Sequence, residues 1–311
     1  MSSMSRTKSF ASFPFFRETI FISALILVCS AAYVGAQQPS GAERNQVKTP
    51  GPAPFPQPEP ARFDDHSAPG WVQIFDGKTL IGWDGAPDIW DVEDGAIVGR
   101  SSTKHPSGTT NILWRGDEPG NFDLRVEMKL EGEGANGGIQ YRSFSAPPQP
   151  AQIPAAWLAR MSDQQKQELQ ERVKQSYELA KKYAKWNVKG YQADFDYANL
   201  YTGQLYEQGT GRGIIAWRGQ MVDAESGKKP RLLASLGSSD DLKALIKVGD
   251  WNQYEVIAEG NTLIQIVNGH VMSILVDNDS KFSQSKGLIA FEIEGPGIVK
   301  ISHRNIWLRK F

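Results

Sequence analysis

Cysteine is almost missing from this chain. The one cysteine among 311 residues is Cys29, and it sits inside an apolar run near the N-terminus. Beyond that run there is no disulfide, no Cys-ligated metal and no thiol nucleophile to build with. Basic excess is missing too: 34 Lys and Arg face 35 Asp and Glu, which argues against a nucleic-acid partner. No Gly-rich phosphate loop follows a strand, and no nicotinamide fingerprint is present. No apolar run is long enough for an ordinary membrane span, which needs about 20 residues; Ile20–Val34 has 15.

That short run has another reading. Arg6, Lys8 and Arg17 precede it, and Gly35, Ala36 and polar Gln37-Gln38-Pro39 follow. This is the layout of a secretory signal, residues 1–36, with cleavage after Ala36. An uncleaved N-terminal anchor is the other reading, and it would associate the chain with the cell envelope. Val28, where a small residue would be expected, speaks against lipid modification of Cys29. Export without disulfides suits a bacterial envelope, so the expected location is periplasmic, cell-envelope or secreted. Cleavage removes Arg6, Lys8, Arg17 and Glu18 and leaves 275 residues with a net charge near −3. That length supports a sizeable core, and the charge is compatible with a neutral ligand such as a carbohydrate.

Residues 37–69 read as a linker. Seven prolines fall between Pro39 and Pro60, a pattern that favours extended polyproline II over packed structure. From 70 to 311 the pattern is that of one β domain. Phe122, Leu124, Val126, Met128 and Leu130 share one face of a strand, and Asp123, Arg125, Glu127 and Lys129 the other. Asn268-Gly269 between apolar stretches is a type I′ hairpin signal. Residues 155–186 break the rule. Leu169, Val173, Tyr177, Ala180 and Ala184 recur at helical spacing, and Ser162 with Gln165 forms a capping-box pair. This predicts an amphipathic helix inserted between two strands, either packed beside the sandwich or lying over its mouth; packing is the simpler reading.

Several stretches carry a resemblance. Phe75-Asp76-Gly77-Lys78-Thr79-Leu80-Ile81-Gly82-Trp83, Trp90–Gly99, Phe122–Leu130, Asn136-Gly137-Gly138-Ile139-Gln140-Tyr141-Arg142, Gly190–Asp194, Tyr206-Glu207 and Arg304–Leu308 occur in the order seen in the 3-keto-disaccharide hydrolase domain family, which this chain resembles over about 240 residues. The resemblance implies a concanavalin A-like jelly roll: an all-β sandwich of two antiparallel sheets, one with a concave face. It also implies cleavage of glycosides oxidised at C3. The chain departs from the family in one strand. Where many members carry Gln and His two residues apart, Gly287–Gly295 offers Glu292 and Glu294.

A ketone at C3 acidifies the C2 proton. Its removal gives an enolate that expels the C1 substituent, and water then adds back. Such a route needs a base, an acid and a donor for the enolate oxygen. Alternation on strands nominates Asp194, Glu207, Glu292 and Glu294 as acid/base groups. Gln140, Arg142 and Gln192 are substrate contacts, with Arg142 as the enolate donor. His303 is a further contact if it faces the same hollow. Glu127 stands only on the resemblance, because its strand face reads as ordinary solvated surface. Trp83, Trp90, Trp114, Trp217, Trp251 and Trp307 offer rings for sugar stacking, though most tryptophans in a sandwich are core. No cofactor is required by the sequence, and no spacing specifies a divalent-metal loop. Oxidation of the sugar falls to a separate oxidoreductase upstream. A non-catalytic carbohydrate-binding module is the alternative. Ordinary glycoside hydrolysis by two carboxylates at defined separation is a third.

Overall fold

The alternation over Phe122–Leu130 is realised as a ten-residue strand whose five apolar side chains are at most 2% exposed. Burial of each contributes about 2 kcal/mol, which fixes both the register and the inward face of this strand. The computed structural model describes residues 62–311 except 151, 152, 154 and 296. The expected signal segment, residues 1–36, and most of the Pro-rich stretch lie outside the described residues. No helix among the described residues is long and apolar enough to cross a membrane.

Two sheets face each other. The ten-stranded sheet runs in the order β12 (Arg231–Ser235), β11 (Gln220–Glu225), β15 (His270–Asn278), β14 (Thr262–Val267), β13 (Asn252–Glu259), β6 (Phe122–Glu131), β17 (Val299–Lys310), β4 (Ala96–Ser101) and β3 (Trp90–Glu93), with β1 (Trp71–Gln73) pairing one end of β17. The seven-stranded sheet runs β10 (Gly213–Ala216), β9 (Leu205–Gln208), β8 (Val188–Asp196), β7 (Asn136–Ser145), β16 (Leu288–Glu294), β5 (Thr110–Trp114) and β2 (Trp83–Gly85). Pairing is antiparallel except between β11 and β15, which run parallel. The hairpin signal is met: Asn268 and Gly269 take φ of 51° and 78° between β14 and β15. The core lies between the sheets. Leu124, Val126, Tyr254, Val256 and Leu275 fill it from one side, and Ile139, Tyr141, Ala193, Phe291 and Ile293 from the other.

The expected helix 155–186 is divided. A short α1 (Ala155–Leu158) precedes α2 (Asp163–Lys182), and a 3₁₀ turn at Ala184–Trp186 leads into β8. The break has a local cause. Ser162 takes an extended conformation and caps α2, its hydroxyl accepting the Gln165 N–H while the Gln165 side chain accepts the Ser162 N–H. Of the predicted apolar stripe only Leu169 is buried. The insertion is held by its C-terminal end. Tyr183 is buried and donates to Asp88 (3.0 Å), Trp186 Nε1 donates to Asp84 (2.7 Å), and Asn111 Nδ2 donates to the Trp186 carbonyl (2.9 Å). Trp186 therefore packs with Leu113, Val188, Leu288 and Ala290 on the outward face of the seven-stranded sheet.

The last residues of the expected linker lie against the outward face of the ten-stranded sheet. Arg125 donates to the Phe63 carbonyl (3.0 Å), and the His66 ring stacks on Trp307 with centroids 4.2 Å apart.

Candidate active site

Strand alternation and register assemble one polar cluster on the outward face of the seven-stranded sheet. Gln140 on β7 stands opposite Gln192 on β8, which stands opposite Tyr206 on β9. One step along that face, Gly138 lies between Asp194 on β8 and Glu292 on β16. Glu292 faces Asn111 on its other side, and Glu294 follows two residues on. The intervening residues Ile139, Ala193, Phe291 and Ile293 point the other way, into the core. Five of the residues nominated from the sequence thus meet: Gln140, Gln192, Asp194, Glu292 and Glu294.

The cluster is held by amide side chains. Gln140 Nε2 donates to one Glu292 oxygen (3.0 Å) and Gln192 Nε2 to the other (2.9 Å). Gln140 also donates to Gln208 on β9. Gln204 Nε2 donates to Asp194 Oδ2 (2.7 Å), while the buried Asp194 Oδ1 has no partner among the described residues. Among the described residues, no cation is paired with Asp194, Glu292 or Glu294. Burial, aided by the charge of Glu294, pushes Glu292 up to about 8 against the pull of its glutamine donors. Burial also raises Glu294, opposed by the Thr109 hydroxyl. Asp194 is raised well above the usual carboxylate range by burial and by the charges of Asp196, Glu292 and Glu294. The Tyr206 phenol is raised by burial and by Glu294, Asp194 and Glu292. The three acids raise one another, so a proton shared within the cluster leaves one member able to donate and another able to accept.

Four nominated residues lie elsewhere. Glu207 is one residue from the site face: it stands opposite Tyr191, and its carboxylate is bound by Arg212 (2.6 Å), which also pairs with Asp277 (2.9 Å). Tyr206, its neighbour, occupies the site position instead. Arg142 leaves the face because the pairing of β7 is bulged between Tyr141 and Phe144 and Arg142 itself takes φ of 43°. Its guanidinium donates to the carbonyls of Gly120, Gly260 and Gln284 and to Asn121. His303 is buried between the sheets, stacked on the core side of Phe291 at 4.1 Å, and burial pushes it down to about 3. Glu127 lies on the outward face of the other sheet, paired with Arg304 (2.6 Å).

Tyr206, Gln204, Gln208, Asn111 and Thr109 were not singled out by the sequence reading. The strand period carried a signal for Tyr206 and Gln208, which alternate with Glu207. Gln204 lies before its strand and had none. Of the six tryptophans, Trp83 and Trp90 are core and Trp217 alone is exposed, at 39%. It adjoins Arg218, which fixes the β8–β9 loop through Asn199 (3.0 Å) and the Thr202 carbonyl (2.7 Å). Among the described residues, no group of three or more His, Cys, Asp or Glu is arranged to hold a metal ion.

Comparisons with known proteins bear on this geometry. A curated 3-keto-disaccharide hydrolase of Bacteroides thetaiotaomicron is 37% identical over 81 residues, 24% of this chain. That match spans 28% of the relative's length. A putative glycosyl hydrolase from Parabacteroides distasonis is 15% identical, with 78% of this chain and 94% of that chain covered and a TM-score of 0.41. The carbohydrate-binding module CBM66 from Bacillus subtilis is 14% identical, with 74% and 96% covered and a TM-score of 0.41. A family model described as a 3-keto-alpha-glucoside-1,2-lyase-like domain matches residues 70–309, and the chain belongs to that family.

Proposed function

We propose that this chain cleaves the glycosidic bond of 3-keto-glycosides, including 3-keto-disaccharides, by acid/base elimination followed by addition of water. The observation that carries the reading is the uncompensated cluster of Asp194, Glu292 and Glu294 on one face of the sheet, with Asp194 and Glu292 only 6% and 1% exposed.

A carboxylate of the cluster takes the C2 proton, and the electron pair moves into the C2–C3 bond as the ketone oxygen gains charge. Collapse of that enolate forms C1=C2 and breaks the bond from C1 to the leaving oxygen. A protonated carboxyl donates to that oxygen. Water then adds at C1 and a proton returns to C2, giving the free 3-keto sugar and an alcohol. Glu292, still protonated near neutral pH, suits the acid. Asp194, whose Oδ1 has no partner among the described residues, suits the base in the state in which the shared proton sits on Glu292. Tyr206 keeps its proton in this surrounding and serves as donor to the enolate oxygen. This assigns to Tyr206 the part expected of Arg142.

The test is a pair of substrates. Purified protein should release the aglycone from a 3-keto-glucoside and leave the unoxidised glucoside intact, with products read by mass spectrometry. Equal cleavage of both would replace this reading by ordinary glycoside hydrolysis. Binding without turnover of either would make the chain a carbohydrate-binding module.

A further inference from the structure

A second feature lies on the same sheet, at the opposite end of β7 and β16. A cavity of about 470 Å³ is lined there by Ser143, Phe144, Ser145, Gln284, Ser285 and Lys286, with Leu288 and Arg115 alongside. Leu288 is four residues from Glu292 along β16, a distance of about 13 Å at the rise of a strand. The two places are connected by side chains: the Ser143 hydroxyl reaches Gln140 Oε1 at 3.5 Å, and Gln140 donates to Glu292.

The lining has a definite chemistry. Phe144 is 42% exposed in a strand whose preceding residues Gly137–Ser143 are all buried. Around it stand the exposed hydroxyls of Ser145 and Ser285, the Gln284 carboxamide, the Lys286 ammonium and the Glu118 carboxylate, while the buried Ser143 hydroxyl turns inward to Gln140 and the Tyr141 carbonyl. Arg115 is already paired with Asp84 at 2.9 Å, so Lys286 and Glu118 leave the cavity without a net sign. An aromatic face ringed by hydrogen-bonding groups whose charges balance suits a saccharide ring, which presents C–H bonds on its faces and hydroxyls on its rim.

The wall is rigid, and Arg142 makes it so. This buried cation holds the Gln284 carbonyl at 3.2 Å together with the carbonyls of Gly120 and Gly260, while the Gln284 N–H donates to the Tyr191 hydroxyl at 3.1 Å. Gly287 lets the 284–287 segment lie against β7, because a Cβ there would meet the Arg142 carbonyl carbon at 2.6 Å. A pre-ordered wall lowers the entropy cost of binding.

We propose that this cavity is a distal subsite for a neutral saccharide unit, so that the preferred substrate is a 3-keto-oligosaccharide extending past the scissile bond toward Phe144. The inference rests on the proposed reaction only for its direction along the face. The subsite itself is a binding claim.

The experiment has two readouts. The first is kcat/KM for a 3-keto-tetrasaccharide relative to a 3-keto-disaccharide. The ratio should be about ten or more in the wild type and fall to about two or less in Phe144→Ala and in Ser285→Trp, the latter filling the cavity from an exposed loop position. The second is binding of the unoxidised tetrasaccharide by calorimetry, expected in the wild type and lost in both variants. Binding lost in both variants, with no turnover of any 3-keto substrate, would uphold the subsite and sink the proposed reaction. Turnover without dependence on chain length, or tetrasaccharide binding retained in the well-folded Ser285→Trp protein, would overturn the subsite.

Discussion

Two groups of acids lie on opposite sides of the seven-stranded sheet, one inside the sandwich and one on the outward face, and they are handled in opposite ways. On the core side, Glu207 and Asp277 share Arg212, with Asp279 3.7 Å from the same guanidinium. Burial works against the Arg212 charge, but the hydrogen bonds and charges of Glu207 and Asp277 outweigh it and hold the arginine firmly protonated. On the outward side, Asp194, Glu292 and Glu294 have amides and a hydroxyl for company and, among the described residues, no cation. The first group is neutralised and ties β9 to β15. The second is left strained in protonation. A fold seeking only stability would not leave three acids together without a counter-charge, so the second group is the one to read for chemistry.

The comparison breaks most sharply at Glu292. Glu292→Gln keeps the size and one of the two glutamine contacts but removes the proton donor. Turnover of a 3-keto-glucoside should drop about 10³-fold, with the folded protein no less stable to heat. Arg212→Ala should do the reverse. It strands Glu207 and Asp277 in the interior and should cost about 3–5 kcal/mol in a denaturant titration, while turnover per folded molecule holds. A large loss of turnover in well-folded Arg212→Ala would move Glu207 back into the site.

The pH dependence sharpens the contrast. Glu292 binds its proton more tightly folded than unfolded, so its contribution to stability falls as pH climbs from about 4.5 to about 8. The alkaline limb of kcat should follow the same ionisation. In Glu294→Gln the neighbouring charge is gone, and that limb should shift toward lower pH; an unmoved limb would detach Glu294 from the pair. The smallest effect belongs to Glu127→Gln. Its pairing with the 38%-exposed Arg304 is worth about 0.5 kcal/mol at most, and turnover should match the wild type.

How much of this was legible in the sequence depends on whether a local period survived. Phe122–Leu130 and Asn268-Gly269 follow local rules, and they were readable as strand and turn. The facing of Gln140, Gln192, Asp194, Glu292 and Glu294 also follows from alternation. Arg142 shares that alternation on paper, but the bulge after Tyr141 and a left-handed backbone turn it out of the ladder, and neither leaves a mark in residue types. Glu207 was misplaced by one step, because the strand's phase is set by its pairing with β8. His303 could not be placed at all: it comes from the other sheet, and only packing against Phe291 reveals which side it occupies. The helix was seen, but its break at Ser162 was not, although the capping pair that causes it was.

Gly138 stands on β7 between Asp194 of β8 and Glu292 of β16. A Cβ there would run into the Ala193 carbonyl oxygen of β8 and crowd the Gln192 side chain at 3.2 Å. The distance between β7 and β8 is therefore set by a missing methyl group. The rung separating Asp194 from Glu292 is bare peptide, and in the proposed reaction the face of a sugar ring would settle against the backbone plane with one acid at each edge. Any side chain at this position would act as a wedge, spreading the two strands and lifting the ring off its bed.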